Sequence, residues 1–249
     1  THFLTIRINS ALLKFIILSY NVNSLNNPAK RAQIWHDCKN AKAKIIMLQE
    51  THFKENHTPI THVNHFPQIF YSNNPVKKAT GVMTLIHKDI PFKLNDKLTD
   101  SEGRYLLIKG EIASLKITLV NIYAPNKGQI SFLCKFLRVL EDFQEGLLII
   151  GGDLNLTISP ILDASNGKSA ISYKSLKSLK NHLVELRLLD LWRVLHPKDK
   201  DYTHYSKTYK MYSRIDYIFI AQKWLHLFNK AEIGTSIHSD HTPISASFT

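Results

Sequence analysis

Short aliphatic runs, each closing on a polar cluster, recur along the chain. Phe15-Ile16-Ile17-Leu18 leads into Ser19-Tyr20-Asn21-Val22-Asn23, and Ile45-Ile46-Met47-Leu48 leads into Gln49-Glu50-Thr51-His52. Leu147-Leu148-Ile149-Ile150 leads into Gly151-Gly152-Asp153-Leu154-Asn155. Runs of four are too brief for helices and suit strands buried on both faces. After the third run, two glycines let the backbone turn tightly and leave room for close approach. Asp153 and Asn155, at i and i+2, would point the same way if the extended course continues. An ordinary turn is the alternative, since Gly, Asp and Asn all favour one.

Further strands are expected at residues 69–71, 81–86, 105–112 and 116–123, the last running into Asn121-Ile122-Tyr123-Ala124-Pro125-Asn126. Asn27 reads as an N-cap with Pro28 at the first helical position, and Ala32, Trp35 and Cys38 form the expected buried stripe. Leu133, Phe136, Leu137 and Leu140 mark a second helix. Leu176, Leu179, Leu183 and Leu186 mark a third, with Lys174, Lys177 and Lys180 on its other face. Residues 189–196 suggest a short helix closed by Pro197. Residues 203–205 and 212–220 read as a hairpin around 206–211, and two short strands flank Ser239-Asp240-His241. No Pro/Gly linker interrupts the series, so residues 14–249 read as one α/β domain. Residues 1–13 are a leader or an extra edge strand.

Composition narrows the class. No apolar stretch approaches the roughly 18–20 residues of a membrane span. Two cysteines, Cys38 and Cys134, make no disulfide framework and point to a reducing compartment. In such a compartment the triplets Asn56-His57-Thr58 and Asn155-Leu156-Thr157 are not expected to carry glycans. His57, His62 and His65 lack a nearby cysteine and match no common zinc spacing. The formal charge of +12 points to nucleic acid, or to an anionic membrane surface.

Asn21, Glu50, Tyr123, Asp153, Asn155, Asp216, Asp240 and His241 all lie at expected strand ends and could converge on one sheet edge. Glu50, with Asp240 and the Asn21 amide oxygen, offers hard oxygen ligands for Mg2+. Asp153 could take or orient the proton of an attacking water, with Asn155 fixing its position. His241, held in one tautomer by Asp216, could donate to a phosphoryl oxygen.

Tyr20-Asn21…Leu25, Gln49-Glu50-Thr51, Asn121-Ile122-Tyr123-Ala124-Pro125-Asn126, Gly152-Asp153-Leu154-Asn155, Arg214-Ile215-Asp216-Tyr217 and Ser239-Asp240-His241 form an ordered series. It resembles the motifs of the endonuclease/exonuclease/phosphatase superfamily. Gln49-Glu50-Thr51-His52, Leu195-His196-Pro197-Lys198, Asp201-Tyr202-Thr203 and the spelling at 212–216 are similar to the apurinic-endonuclease-like domain of LINE-type non-LTR retrotransposon polyproteins.

The resemblance implies a four-layer α/β sandwich, two mixed sheets face to face with helices outside (DNase I-like). It implies Mg2+-dependent nicking of double-stranded DNA, with Mn2+ as an alternative ion, leaving a 3′ hydroxyl for target-primed reverse transcription. Glu50 and Asn21, with Asp240, would hold the metal. Asp153 and Asn155 would manage the nucleophile, Tyr123 and His241 would contact the phosphate, and Asp216 would orient His241. The expected DNA contacts are Asn126, Thr203, Lys207, Tyr209, Lys210, Tyr212, Arg214 and Ser239. The hairpin tip at 206–211 is expected to choose the target. Asn23 stands where repair enzymes of the family have Asp, and His204 near where a Phe is expected, which argues against abasic-site repair. The domain is expected to be monomeric in isolation, to belong to a longer polyprotein with a reverse transcriptase, and to act in the nucleus after cytoplasmic synthesis. Abasic-site DNA or a phospholipid headgroup is the alternative substrate.

Overall fold

The computed structural model describes residues 7–8, 11–12, 14–55, 63 and 65–249. His57, His62 and the triplet beginning at Asn56 lie outside them. Two short strands, β1 (Arg7–Ile8) and β2 (Ala11–Leu12), pair with one another and with neither large sheet. Then follow β3 (Phe15–Asn21), α1 (Pro28–Asn40), β4 (Ala43–Gln49), β5 (Gln68–Ser72), β6 (Val82–Ile86), β7 (Phe92–Thr99) and β8 (Tyr105–Ile112). The middle of the chain holds β9 (Leu115–Tyr123), α2 (Gln129–Phe143), β10 (Leu147–Asp153), α3 (Pro160–Asp163) and α4 (Tyr173–Glu185). It closes with β11 (Leu188–Asp190), α5 (Leu191–Leu195), β12 (His204–Ser206), β13 (Met211–Ser213), β14 (Asp216–Ala221), β15 (Phe228–Ile233) and β16 (Ile244–Phe248).

Two mixed six-stranded sheets carry the fold. One runs β11-β14-β10-β9-β8-β7, the other β15-β16-β3-β4-β6-β5. Alternation along each strand sorts the aliphatics by face. Ile17, Ile45, Met47, Ile108, Leu119, Ile149 and Ile218 fill the space between the sheets. Leu148, Ile150 and Phe219 instead meet Leu133, Phe136 and Leu137 of α2 and Leu176 and Leu179 of α4. Leu18, Ile46 and Leu85 meet Ile34 and Cys38 of α1. Three apolar interfaces between four layers make the sandwich.

Several local expectations are corrected. The α1 stripe is Ile34 and Cys38; Trp35 is half-buried and Ala32 exposed. Strand β7 was not foreseen, because only Phe92 of its eight residues is buried on this sheet edge. Residues 189–196 split into β11 and α5, where the Asp190 side chain caps the helix by accepting from Arg193 N. The hairpin is shorter than expected: β13 ends at Ser213 and β14 joins the large sheet beside β10. Gly151 and Gly152 do not turn at all but run on as strand β10. Their lack of a side chain is needed for approach. A Cβ on Gly152 would lie 1.9 Å from the Ile122 carbonyl oxygen, and one on Gly151 would lie 2.7 Å from Met47 Sδ in the opposite sheet.

Candidate active site

Register brings the chemistry together. Asp153, the last residue of β10, pairs with Tyr123 at the end of β9 and with Asp216 at the start of β14. All three side chains share the face turned to the second sheet. There Asn21 ends β3 beside Gln49 of β4, and Glu50 follows. The Asn21 amide spans the gap, donating from Nδ2 to Glu50 Oε1 and to Asp153 Oδ2, each over 2.9 Å. Its oxygen accepts from Asn23 N at 3.0 Å. Beneath the rim, buried Asn121 accepts from Gln49 Nε2 at 2.7 Å and donates to the Met83 carbonyl at 2.9 Å, tying sheet to sheet.

The loops beyond the strand ends are bent sharply. Glu50, His52 and Asn155 all have positive φ, at 54°, 58° and 51°. Such conformations cost about 1–3 kcal/mol each in residues with a side chain. A single fully buried Ile or Leu contributes about as much, so the core below readily holds them. At Asn155 the bend refutes the simple i, i+2 expectation. Asn155 N donates to Asp153 Oδ1 at 2.7 Å, while its side-chain amide turns to the Ala124 carbonyl at 2.9 Å. It braces the loop rather than paralleling Asp153.

His241 joins the row from the loop before β16. Its Nδ1 lies 2.8 Å from Asp216 Oδ2 and its Nε2 3.9 Å from Asp153 Oδ2. Thr203 positions both ends of this pair. Its hydroxyl oxygen accepts from the backbone N–H groups of Ile215 and Asp216, and its carbonyl accepts from Thr242 N. Ser239 Oγ donates to the Asn21 carbonyl at 2.8 Å, locking the same loop to β3.

Electrostatics follow from burial and neighbours. Burial works against ionising Glu50, yet hydrogen bonds from His52, Asn21 and Tyr123 hold its pKa down to about 2. Asp153 is pushed up from the usual carboxylate range by complete burial and by the charge of Asp216, with His241 opposing. Burial also opposes charging His241, but Asp216 outweighs it and raises that pKa. The Tyr123 hydroxyl is raised by burial and by Glu50 and Asp153, so it stays a donor; Arg104 lies over its ring at 5.3 Å.

Glu50 fits a hard cation. Its carboxylate is favoured in the ionised form at neutral pH, part of its side chain is open, and the Asn21 amide lies beside it. Mg2+ takes one or two carboxylates and keeps several waters. Asp240 is an exposed residue that accepts from Asn23 Nδ2 at 3.0 Å. Among the described residues it clusters with His204 and His241. The Asn21 oxygen, expected as a ligand, accepts one hydrogen bond, from Asn23 N, and keeps a second lone pair.

Expected DNA contacts divide by exposure. Asn126, Lys207, Tyr209, Lys210 and Tyr212 are exposed, and Ser239 is half-buried. Thr203 and Arg214 are fully buried and cannot meet DNA. Arg214 pairs with Asp163 at 2.9 Å and Asp190 at 2.6 Å, between the rings of Trp192 and Tyr217. Sequence reasoning also gave no role to His52, whose Nε2 lies 3.1 Å from Glu50 Oε2, nor to Asn121 as an internal tie. Parity along β9 could have found the latter, since Asn121 falls on the same inner face as Ile117 and Leu119, at successive steps of two.

A four-layer sandwich with an Asp–His pair and an ionised Glu at one rim defines a hydrolytic enzyme of the nuclease type. The chain belongs to the Endonuclease/Exonuclease/phosphatase family, whose pattern matches residues 18–241. It is 26% identical over 240 residues to the Transposon TX1 uncharacterized 149 kDa protein of Xenopus laevis, covering 92% of this chain and 18% of that protein. The chain thus spans under a fifth of that relative's length. It is 23% identical to an exodeoxyribonuclease of Bacillus subtilis, covering 92% of this chain and 97% of the other. In fold it is similar to the APE2 catalytic domain of Xenopus laevis, with TM-score 0.75, 20% identity and coverage of 93% and 91%.

Proposed function

We propose that this domain is the endonuclease of a LINE-type retrotransposon polyprotein, nicking double-stranded DNA in the nucleus to prime reverse transcription. The observation that carries the reading is the row Tyr123–Asp153–Asp216, closed by His241 and joined through Asn21 to Glu50. The +12 charge favours DNA over a lipid headgroup, and the similarity to a transposon protein supports the retrotransposon setting.

Glu50 and the neighbouring Asn21, with Asp240, would hold Mg2+ or Mn2+. The ion supplies charge neutralisation at the phosphate and at the departing oxygen. Asp153, raised toward neutrality, takes the proton of a water attacking phosphorus. Asn155 N and Asn21 Nδ2 hold that carboxylate in place. His241, with Nδ1 bonded to Asp216, presents Nε2 to a phosphoryl oxygen, and the Tyr123 hydroxyl donates to another. The P–O3′ bond breaks, leaving a 3′ hydroxyl and a 5′ phosphate.

Supercoiled plasmid incubated with the domain and Mg2+ should relax to open circle, and a polymerase should extend the nicks without prior phosphatase treatment. Equal relaxation in EDTA, or nicks that resist extension, would overturn the reading.

A further inference from the structure

His204, Asp240 and His241 form a second set of donors beside the catalytic row. One ligand atom from each lies within 4.8 Å of the others. The backbone fixes the arrangement: His204 and His241 face one another in an antiparallel bridge, and Tyr205 N reaches the Asp240 carbonyl at 3.4 Å. The two imidazoles are tilted at 42° to one another with centroids 4.6 Å apart, and His204 Nε2 stands 3.9 Å from Asp240 Oδ2. Asp216 holds Nδ1 of His241, the kind of outer hydrogen bond that orients an imidazole to ligate through Nε2, from which a bound metal displaces any proton. The Asp240 side chain is 40% exposed, so one side of the set is open to solvent.

Two imidazoles and a carboxylate are the donors a zinc ion takes from protein, with a fourth position left for water. Nitrogen donors favour zinc over manganese, whereas Mg2+ prefers oxygen alone. The two kinds of ion therefore select different sides of the rim, zinc the imidazole side and magnesium the Glu50 side.

We propose that His204, Asp240 and His241 bind a zinc ion and that this site inhibits the enzyme. Bound zinc occupies His241 and so withdraws it from the scissile phosphate. His204 decides the site, because without it only one imidazole and one carboxylate remain. The inhibitory half rests on the nuclease reading; the binding half does not.

Calorimetric titration of the whole chain with zinc chloride, in magnesium-free buffer at pH 8, decides the binding half. Parent protein should take up one zinc, and His204→Phe, which keeps a ring against His241, should bind at least tenfold more weakly. His204→Gln serves as a second variant, with circular dichroism to confirm that each is folded. In plasmid nicking with Mg2+, half-inhibition should need at least tenfold more zinc in either variant, each measured against its own zinc-free rate. No zinc uptake by the parent, or equal uptake by parent and folded variants, overturns the site. If zinc binds as expected but the parent never nicks, the nuclease reading and the inhibition fall while the site stands.

Discussion

Asp153 and Asp216 are register partners across β10 and β14, both buried, and one histidine serves both: His241 Nδ1 is 2.8 Å from Asp216 and Nε2 3.9 Å from Asp153. Burial and the neighbouring Asp216 oppose ionising Asp153, and His241 favours it. The shared imidazole ties proton transfer at Asp153 to the orientation of His241.

Replacing either member should therefore stop the chemistry and spare binding. Asp153→Ala and His241→Ala should each lower the nicking rate at least about 100-fold, the scale of a lost acid, base or preorganised donor. DNA affinity by gel shift should change little, because binding is spread over many phosphates. Nicking within a few-fold of the parent would remove that residue from the mechanism.

Glu50 sets an acid limb of stability. Its folded pKa of about 2 lies below the unfolded carboxylate value, so its contribution is complete above about pH 4.5 and disappears as the pH falls toward 2. The amount at neutral pH is on the order of 3 kcal/mol. Urea unfolding across this range should show Glu50→Gln less stable than the parent at pH 7 and equal to it near pH 2. Parallel curves for the two proteins would show that the carboxylate is not held ionised by its neighbours.

Arg214 and the hairpin lysines should separate cleanly. Arg214→Ala leaves the half-buried Asp190 without its cation and buried Asp163 with Arg193 alone, which should cost about 3 kcal/mol. Lys207→Ala and Lys210→Ala should leave stability within about 0.5 kcal/mol. Each should make the log-log dependence of DNA affinity on salt shallower by about one unit. A salt slope near zero in the parent would point away from DNA altogether.

Target choice should reside in the hairpin tip. Phosphate chemistry is the same at every step of a duplex and carries no base information. The tip presents Tyr209, Lys207 and Lys210 to solvent, while β12 is bonded through its backbone to Asp240 and His241. Residues 207–210 exchanged for a Gly/Ser turn should shift the distribution of nicks mapped along a long duplex. Uniformly weaker cutting at the same sites would mean that the hairpin binds without choosing.

Sequence by itself was enough for the local elements and for which residues stand at their ends. Four-residue aliphatic runs marked β3, β4 and β10, and leucine spacing marked α2 and α4, because burial period is written in neighbouring residues. Asn21, Glu50, Tyr123 and Asp153 were legible as polar groups closing apolar runs, while Asp216 and His241 were legible through the ordered motif series. Elements with little burial gave no such signal, and β7 was missed for that reason.

Only the tertiary structure decided which of these groups touch. Asn21 and Asp153 lie 132 positions apart in the chain and meet because two sheets pack face to face, with Gly151 allowing Met47 to close in. The same packing buried Arg214 and Thr203, turned the Asn155 amide to a carbonyl, and set Asp240 beside His204. A charged or hydroxylic side chain reads alike in sequence whether it faces solvent or a buried partner. The distinction arises from register and layer packing between distant segments, which local periodicity does not encode.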